Sequence, residues 1–218
     1  MVDFNRKMWP LRPKPAAGAA TSEASSRFWL WVDGVGGYLV CEGDAVTLGQ
    51  PVPGQSVDIP ILGDVSRRHA IIRRAGENYV IEPLRDLHVG GKLVTAPCTL
   101  GHDAQLDLGA GVQLRFRRPH PYSMTARLDF ISPHRTHPST DGIVLLADAC
   151  VLGPAANSHV QCRDWSKELI LYRQQGGLYC RAAGELTVDG RMERGRASLT
   201  RSSHVAGRGF SLSLEKFG

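Results

Sequence analysis

Short runs in which apolar and polar residues alternate recur about every 8 to 12 residues through the first half of the chain. Alternation with a period of two is typical of half-buried β-strands. Turn sequences such as Asp33-Gly34, Gly90-Gly91 and Gly109-Ala110-Gly111 separate the runs. We therefore predict an all-β fold of sandwich type. The predicted strands are Phe28–Val32, Gly37–Cys41, Ala45–Leu48, Val57–Ile59, Ala70–Arg74, Tyr79–Glu82, Lys92–Val94, Ala104–Leu108 and Val112–Phe116.

The second half of the chain repeats features of the first half at a spacing of 100 residues. At this spacing Ser66–Arg73 aligns with Ser166–Arg173, and Tyr79 aligns with Tyr179. Strand patterns that persist while loop lengths drift are typical of duplicated domains. The repeat therefore predicts two β-sandwiches in tandem.

Composition suggests where these domains begin and end. Residues 1–26 are rich in Pro, Ala, Ser and Thr and lack hydrophobic periodicity, so we predict a disordered N-terminal tail. A Pro- and His-rich stretch follows the last strand of the first domain. We predict a first domain at 27–118, a linker at 119–124 and a second domain at 125–218.

Charge and cysteine usage narrow the function classes. The formal net charge is +5, but residues 27–118 hold ten basic and ten acidic side chains, so no nucleic-acid surface is expected. No run of about 18 apolar residues predicts a membrane span, and the N-terminus lacks the apolar core of a secretory signal. The five cysteines form no Cys-x-x-Cys pair. We expect a cytoplasmic protein without a metal or other cofactor, and with reduced thiols at Cys41, Cys98, Cys150, Cys162 and Cys180.

Catalysis is not favoured by the residues that could carry it. No Gly-x-Ser-x-Gly elbow is present, and Ser66 and His69 flank a predicted strand start from which their side chains diverge. His134 and His137 lie between two prolines, which argue against the helix that would pair them as metal ligands. We therefore predict a protein that is not an enzyme.

A series of short motifs resembles the forkhead-associated (FHA) domain. In chain order they are Leu48-Gly49, Val57-Asp58-Ile59, Val65-Ser66-Arg67-Arg68-His69-Ala70, Tyr79-Val80-Ile81, Val89-Gly90-Gly91 and Leu106-Asp107-Leu108-Gly109. The resemblance implies an eleven-stranded β-sandwich whose loops at one end bind a phosphothreonine peptide on a protein partner, as in a signalling adaptor. A phosphate dianion needs converging hydrogen-bond donors that the scaffold holds rigidly.

The resemblance also assigns roles to individual residues. Ser66 matches the serine that contacts phosphate, and Arg67 follows it. His69 matches a structural histidine that braces the recognition loops, and Gly49 and Gly91 are structural as well. The expected phosphopeptide-binding set is Gln50, Ser66, Arg67, Arg85, His88 and Gly90.

Several departures from the family pattern weaken the expected phosphate site. Gln50 replaces an arginine, and loss of a charge-assisted bond costs about 1.5–3 kcal/mol. The segment that should carry a selective asparagine lacks it, although Arg85 or His88 can supply a donor there. In the second domain Leu169 replaces the bracing histidine and Pro154 follows the glycine, so we expect a degenerate sandwich that has lost its phosphate site.

Two hypotheses for the function remain open. In the first, which we favour, the first domain reads phosphothreonine on a partner or on this chain's own Thr21, Thr136 or Thr140. In the second, both domains are scaffolds that bind proteins without phosphate.

Overall fold

The computed structural model of the chain describes residues 27–217. This part of the chain forms twenty-one β-strands and contains no helix, so the predicted all-β fold is confirmed. It therefore also has no helix that is long and apolar enough to cross a membrane. The first eleven strands are β1 Arg27–Val32, β2 Gly36–Cys41, β3 Ala45–Gly49, β4 Ile59–Leu62, β5 Ala70–Ala75, β6 Asn78–Pro83, β7 Leu87–Val89, β8 Lys92–Val94, β9 Cys98–Leu100, β10 Ala104–Asp107 and β11 Gln113–Arg117. The others are β12 Ala126–Phe130, β13 Arg135–Thr136, β14 Gly142–Leu145, β15 Ala149–Gly153, β16 Val160–Gln161, β17 Leu169–Gln174, β18 Gly177–Val188, β19 Arg191–Leu199, β20 His204–Gly207 and β21 Phe210–Lys216.

Most of the strands predicted from sequence are present, with three differences. The fourth strand was predicted at Val57–Ile59, but it runs from Ile59 to Leu62. Proline is disfavoured within strands, so Pro60 led to a prediction that ends too early. The strands β7 and β9 were not predicted. Each has only three residues, which is too short for an alternating pattern to stand out.

Two bodies of strands pack around two hydrophobic cores. The first body is residues 45–117, from β3 to β11, and the second body is residues 149–216, from β15 to β21. A six-stranded sheet, in the order β13-β4-β3-β5-β6-β9, forms one layer of the first body. The opposite layer belongs to a fifteen-stranded sheet that runs through both bodies.

Each body is completed by a strand pair that precedes the other body in the chain. The strand β12 pairs with β11 of the first body and β14 pairs with β12, and Leu128 lies in the first core. The strand β1 pairs with β21 of the second body and β2 pairs with β1, and Phe28 and Leu30 lie in the second core. The strands are therefore exchanged: β1 and β2 complete the second body, and β12, β13 and β14 complete the first body.

This exchange bears on the domain division expected from sequence. Strand pairing crosses the predicted division between 27–118 and 125–218 in both directions. The sequence pattern shows where strands lie but not which partners they choose across a sheet. A division of the chain into two contiguous domains stays a prediction.

The middle of the large sheet is a parallel pair formed by β2 and β14. Ile143 and Leu145 face the first core, whereas Val144 and Leu146 face the second core. Strands covered on both faces read as continuous apolar runs, as in Gly142–Leu145. The two cores are thus separated by a single layer of backbone.

The strand registers of the first body recur in the second body. Tyr79 pairs with Leu100 and, 99 residues later, Leu178 pairs with Leu199. Leu87 pairs with Val94 in the β7–β8 hairpin, and Leu186 pairs with Glu193 at the same spacing. The long strands β18 and β19 therefore occupy the positions that β6 with β7, and β8 with β9, occupy in the first body.

The spacing of 99 residues corrects one alignment made from sequence. Leu48 pairs with Ala70 in the first body, and Leu152 pairs with Leu169 in the second. Leu169 is therefore the counterpart of Ala70, and Glu168 stands where the first body has the histidine. The expectation that Leu169 replaces that histidine is wrong, because a slip of one residue moves every side chain to the opposite face of a strand.

Candidate functional site

Three loops of the first body meet at one end of the sandwich. Gly49 ends β3 against the loop before β5, and a Cβ atom at Gly49 would lie 2.1 Å from the carbonyl oxygen of Arg67. The amide of the next residue, Gln50, donates to the carbonyl oxygen of Ser66 over 3.1 Å. Glycine at position 49 therefore allows the two loops to touch through their backbones.

His69 joins two of these loops. Its imidazole is buried, with Nδ1 accepting from the amide of Ser66 at 3.3 Å and Nε2 lying 2.8 Å from the carbonyl oxygen of Asp86. Since a carbonyl only accepts, this network assigns the ring proton to Nε2. The carbonyl oxygen of His69 also accepts from the amides of Leu84 and Arg85. These bonds fix the loop before β5 against the loop before β7.

Donor groups are left exposed around this brace. Ser66 is half-buried and its hydroxyl makes no hydrogen bond within residues 27–217, while Gln50, Arg67 and Arg85 are exposed. Neither arginine takes part in a salt bridge within the described residues. Arg85 makes one hydrogen bond, from Nη1 to the carbonyl oxygen of Leu84. A hydroxyl and two cations are thus available to an anion at this end of the sandwich.

Two other residues expected in the site lie elsewhere. The amide of Gly90 donates to the carbonyl oxygen of Gln105, and the β7–β8 turn that holds Gly90 and Gly91 is at the far end of β7 from His69. Both glycines have positive φ angles, which such a two-residue turn requires. His88 lies on β7 between two inward-facing residues, so its ring is on the outer face of the sheet. The structure does not bring Gly90 or His88 to the loop end.

Two of the threonines considered as internal ligands are buried. Thr136 is fully buried, and its hydroxyl donates to the carbonyl oxygen of Pro138 at 2.7 Å and contacts the hydroxyl of Thr140 at 2.9 Å. Thr140 is only 5% exposed. The expectation that these two threonines are accessible as ligands of the first body is wrong, because β13, which contains Thr136, pairs with β4, and the hydroxyl of Thr140 bonds to that of Thr136. Thr21 lies outside the described residues.

Four buried cysteines have thiols that their surroundings do not activate. Burial raises the pKa of Cys180 to about 11 and that of Cys150 and Cys162 to about 12, and it also raises the pKa of Cys41. These thiols are protonated at neutral pH and are poor nucleophiles. Within the described part of the chain, no group of three His, Cys, Asp or Glu side chains is placed to hold a metal ion.

The partners of His69 could not be identified from sequence. Leu84, Arg85 and Asp86 meet it through backbone atoms. Backbone contacts do not require a particular residue type, so the sequence gives no indication of these three partners.

The fold and this loop end define a class of protein, a β-sandwich that presents exposed hydrogen-bond donors on braced loops at one end. Comparison with protein families then identifies it, because the model of the FHA domain matches residues 46–109. The chain contains an FHA domain, and the match lies within the first body. FHA domains are modules of protein interaction that bind phosphoproteins, and they are not enzymes. A search of the curated proteins finds no match for this chain.

Proposed function

We propose that the first body binds a phosphothreonine peptide of a partner protein through the loops that carry Gln50, Ser66, Arg67 and Arg85. The observation that carries this proposal is the brace at His69, which holds the loops before β5 and β7 together at two backbone positions and through its ring. Donors held in place before the ligand arrives lose little entropy on binding. Because of this low entropy cost, a small number of contacts from these loops is enough to bind a phosphate.

The composition of the loop end sets the strength of this binding. Ser66 can donate its hydroxyl, and Arg67 and Arg85 can each offer a charged fork to the phosphate oxygens. Gln50 adds a neutral donor where the family pattern has arginine. We expect an affinity about 10- to 150-fold weaker than that of a site with arginine at position 50.

A second candidate function, a scaffold that binds proteins without phosphate, is favoured by a groove beside these loops. The groove has a volume of about 880 Å³ and includes Val52, Val57, Leu62 and Phe217 in its lining. The side chain of Leu62 is among the exposed large apolar groups of the described residues, at 49%. Apolar grooves of this kind commonly accept side chains of a partner.

A library of phosphothreonine peptides, each with its unphosphorylated twin, distinguishes the two functions when it is screened against the whole chain. We expect binding of a subset of phosphopeptides that is lost when the peptides are dephosphorylated. In the best of them, Ser66→Ala and Arg67→Ala should each weaken binding about tenfold or more.

The matched control is Arg115→Ala, on β11, which removes the same charge away from the loops. It should leave the affinity within about twofold. Equal binding of phosphorylated and unphosphorylated twins would reject the phosphate hypothesis and leave the scaffold function.

We further propose that the second body, with β1 and β2, is a degenerate FHA-like sandwich, and that the protein acts as a cytoplasmic signalling adaptor. The recurrence of strand registers at 99 residues supports the first statement. Five unpaired cysteines support a reducing compartment.

A further inference from the structure

The apolar groove beside the β3–β4 loop, with its volume of about 880 Å³, has walls that are held in place. One wall is the loop itself, in which the amide of Gln55 donates to the carbonyl oxygen of Val52 over 3.1 Å. The strand β4 contributes Leu62, which pairs with Arg135 of β13. Backbone pairing therefore fixes both of these parts of the groove.

The groove has an aromatic wall at Phe217, where the described part of the chain ends. The Phe217 ring stacks on Trp29 with centroids 4.9 Å apart, and the guanidinium of Arg27 lies over the Phe217 ring at 3.9 Å from its centroid. Trp29 is buried in the first core. The aromatic wall is therefore anchored to the body of the protein.

Arg27 lines the groove as well, and it is the first residue that the structure describes. Its Nη1 donates to the carbonyl oxygens of Val57 and Asp58, the second over 2.9 Å. These bonds attach the start of β1 to the β3–β4 loop. Residues 1–26, which lie outside the described part of the chain, are therefore connected to the protein at the groove itself.

The groove is separate from the loop end that we propose as the phosphate site, because neither Ser66 nor Arg67 nor Arg85 lines it. Among the lining residues that the structure describes, only Arg27 and His137 carry titratable side chains. The guanidinium of Arg27 is already bonded, so one imidazole remains. The lining therefore suits apolar side chains rather than a phosphate group.

The sequence before Arg27 contains apolar residues that match this groove. Met8-Trp9-Pro10-Leu11 places three large apolar side chains within four positions, whereas residues 12–26 have none. Tryptophan is among the residues that most often dominate the energy of an interface. Pockets of about 300–1,000 Å³ enclose drug-sized ligands, so this groove has room for the indole of Trp9 and a neighbouring side chain.

The connection between this cluster and the groove favours an occupant from the same chain. Residues 12–26 can reach up to about 50 Å when extended, and they need much less because Arg27 lines the groove. A tether of this length gives an effective concentration of about 1 mM, which a separate partner must overcome. We propose that Met8-Trp9-Pro10-Leu11 of the same chain occupies the groove. A protein that binds there must displace this segment, so the segment regulates the scaffold function and leaves the phosphate site free.

Residue-resolved NMR of the ¹⁵N-labelled whole chain tests this proposal by comparing the native protein with the double variant Trp9→Ala/Leu11→Ala. We expect the amide signals of Val52, Gln55 and Leu62 to differ between the two proteins. An unlabelled peptide of residues 1–15 should restore the native signals of the variant in a saturable manner. The peptide should bind the native chain about tenfold more weakly, because the attached segment competes with it.

Adding Leu62→Asp to the double variant should weaken peptide binding about tenfold or more. The matched control is Leu93→Asp on β8, because Leu93 is also an exposed leucine, at 57%, and does not line the groove. It should leave the affinity within about twofold, and a peptide of scrambled sequence should not bind.

The proposal would be overturned by groove signals that are the same in the native chain and the double variant, or by peptide binding that Leu62→Asp leaves unchanged. Native signals that change to those of the double variant on dilution would assign the groove to the segment of a second copy and would also reject occupation by the same chain. Peptide shifts confined to Ser66 and Arg67 would reject the groove as the site.

Discussion

The first and second bodies of this protein have the same strand registers but differ in how their loops are held. In the first body, His69 bonds to the loop before β5 and to the loop before β7. In the second body the same position is Glu168, which is exposed, and the two strands corresponding to β6 and β7 have merged into β18. The sheet framework has thus been retained where the loop brace has not.

A second pair of corresponding residues differs in the same way. Asp58 Oδ2 accepts from the amide of Thr47 at 2.8 Å, and in the second body His159 Nδ1 accepts from the amide of Val151 at 2.9 Å. Both side chains satisfy a backbone donor of the strand that leads to the loop end. A framework contact can therefore be kept by different chemistry, provided that an acceptor is present.

The largest effect on the unfolding free energy is expected when a buried leucine of an exchanged strand is truncated, and this shows which body the strand stabilises. Leu30→Ala and Leu128→Ala each remove a fully buried side chain and should each cost about 2–5 kcal/mol of unfolding free energy. Native-state hydrogen exchange should show weakened protection first in β15 to β21 for Leu30→Ala, and first in β3 to β11 for Leu128→Ala. If Leu30→Ala instead loosens β3 to β11 first, the assignment of β1 to the second body is wrong.

A smaller change in the unfolding free energy is expected with pH, because His159 gains a proton when the protein unfolds in acid. Burial, and then the neighbouring His120, lower the pKa of His159 to about 4, below its ordinary value of about 6.5. Its Nδ1 accepts from Val151 and its Nε2 lies 3.2 Å from the carbonyl oxygen of Thr125, so a proton on Nδ1 would oppose an amide. The folded state binds fewer protons than the unfolded state between pH 6.5 and 4. We therefore expect a contribution of about 3 kcal/mol that is present above pH 6.5 and lost as the pH falls to 4.

Urea denaturation of the whole chain between pH 7 and 4 measures this contribution. The control is His159→Asn, whose amide oxygen can accept from Val151 without titrating in this range. It should flatten the pH dependence of the unfolding free energy. An unchanged slope in this variant would show that other groups cause the acid sensitivity.

The smallest effect on stability is expected from alanine substitutions at two corresponding glycines, Gly49 and Gly153. Gly49→Ala would place its Cβ 2.1 Å from a backbone oxygen, and we expect a loss of about 1–3 kcal/mol because the loop before β5 must move. At Gly153 a Cβ would be nearest to Cγ of Glu168, at 2.8 Å, and an exposed side chain can swing away. Gly153→Ala should cost less than about 1 kcal/mol by thermal denaturation. Equal losses would mean that the two loop ends are equally rigid.

Much of this structure could be predicted from local sequence. The all-β fold, most strands of the first body and the FHA domain follow from alternation, turn residues and the Ser66–Ala70 motif. These features are encoded by residues close together in the chain.

Features that depend on distant pairing could not be predicted. The exchange of strands is decided by hydrogen bonds between β1 and β21, which lie at opposite ends of the described chain. The burial of Thr136 depends on β13 joining the edge of β4. The alignment of the two halves was one residue off because identical residues such as Tyr79 and Tyr179 outweighed the pairing geometry.

The exchange of strands also has a consequence for synthesis of the protein on the ribosome. The strands β1 and β2 emerge early, yet their place in the second core is complete only when β21 has been translated. The first body can close as soon as β14 has left the exit tunnel, since all its strands are then available. The strand β2 can pair with β14 at that stage, but the face of β1 and β2 that belongs to the second core stays without its partners until β21 has been made.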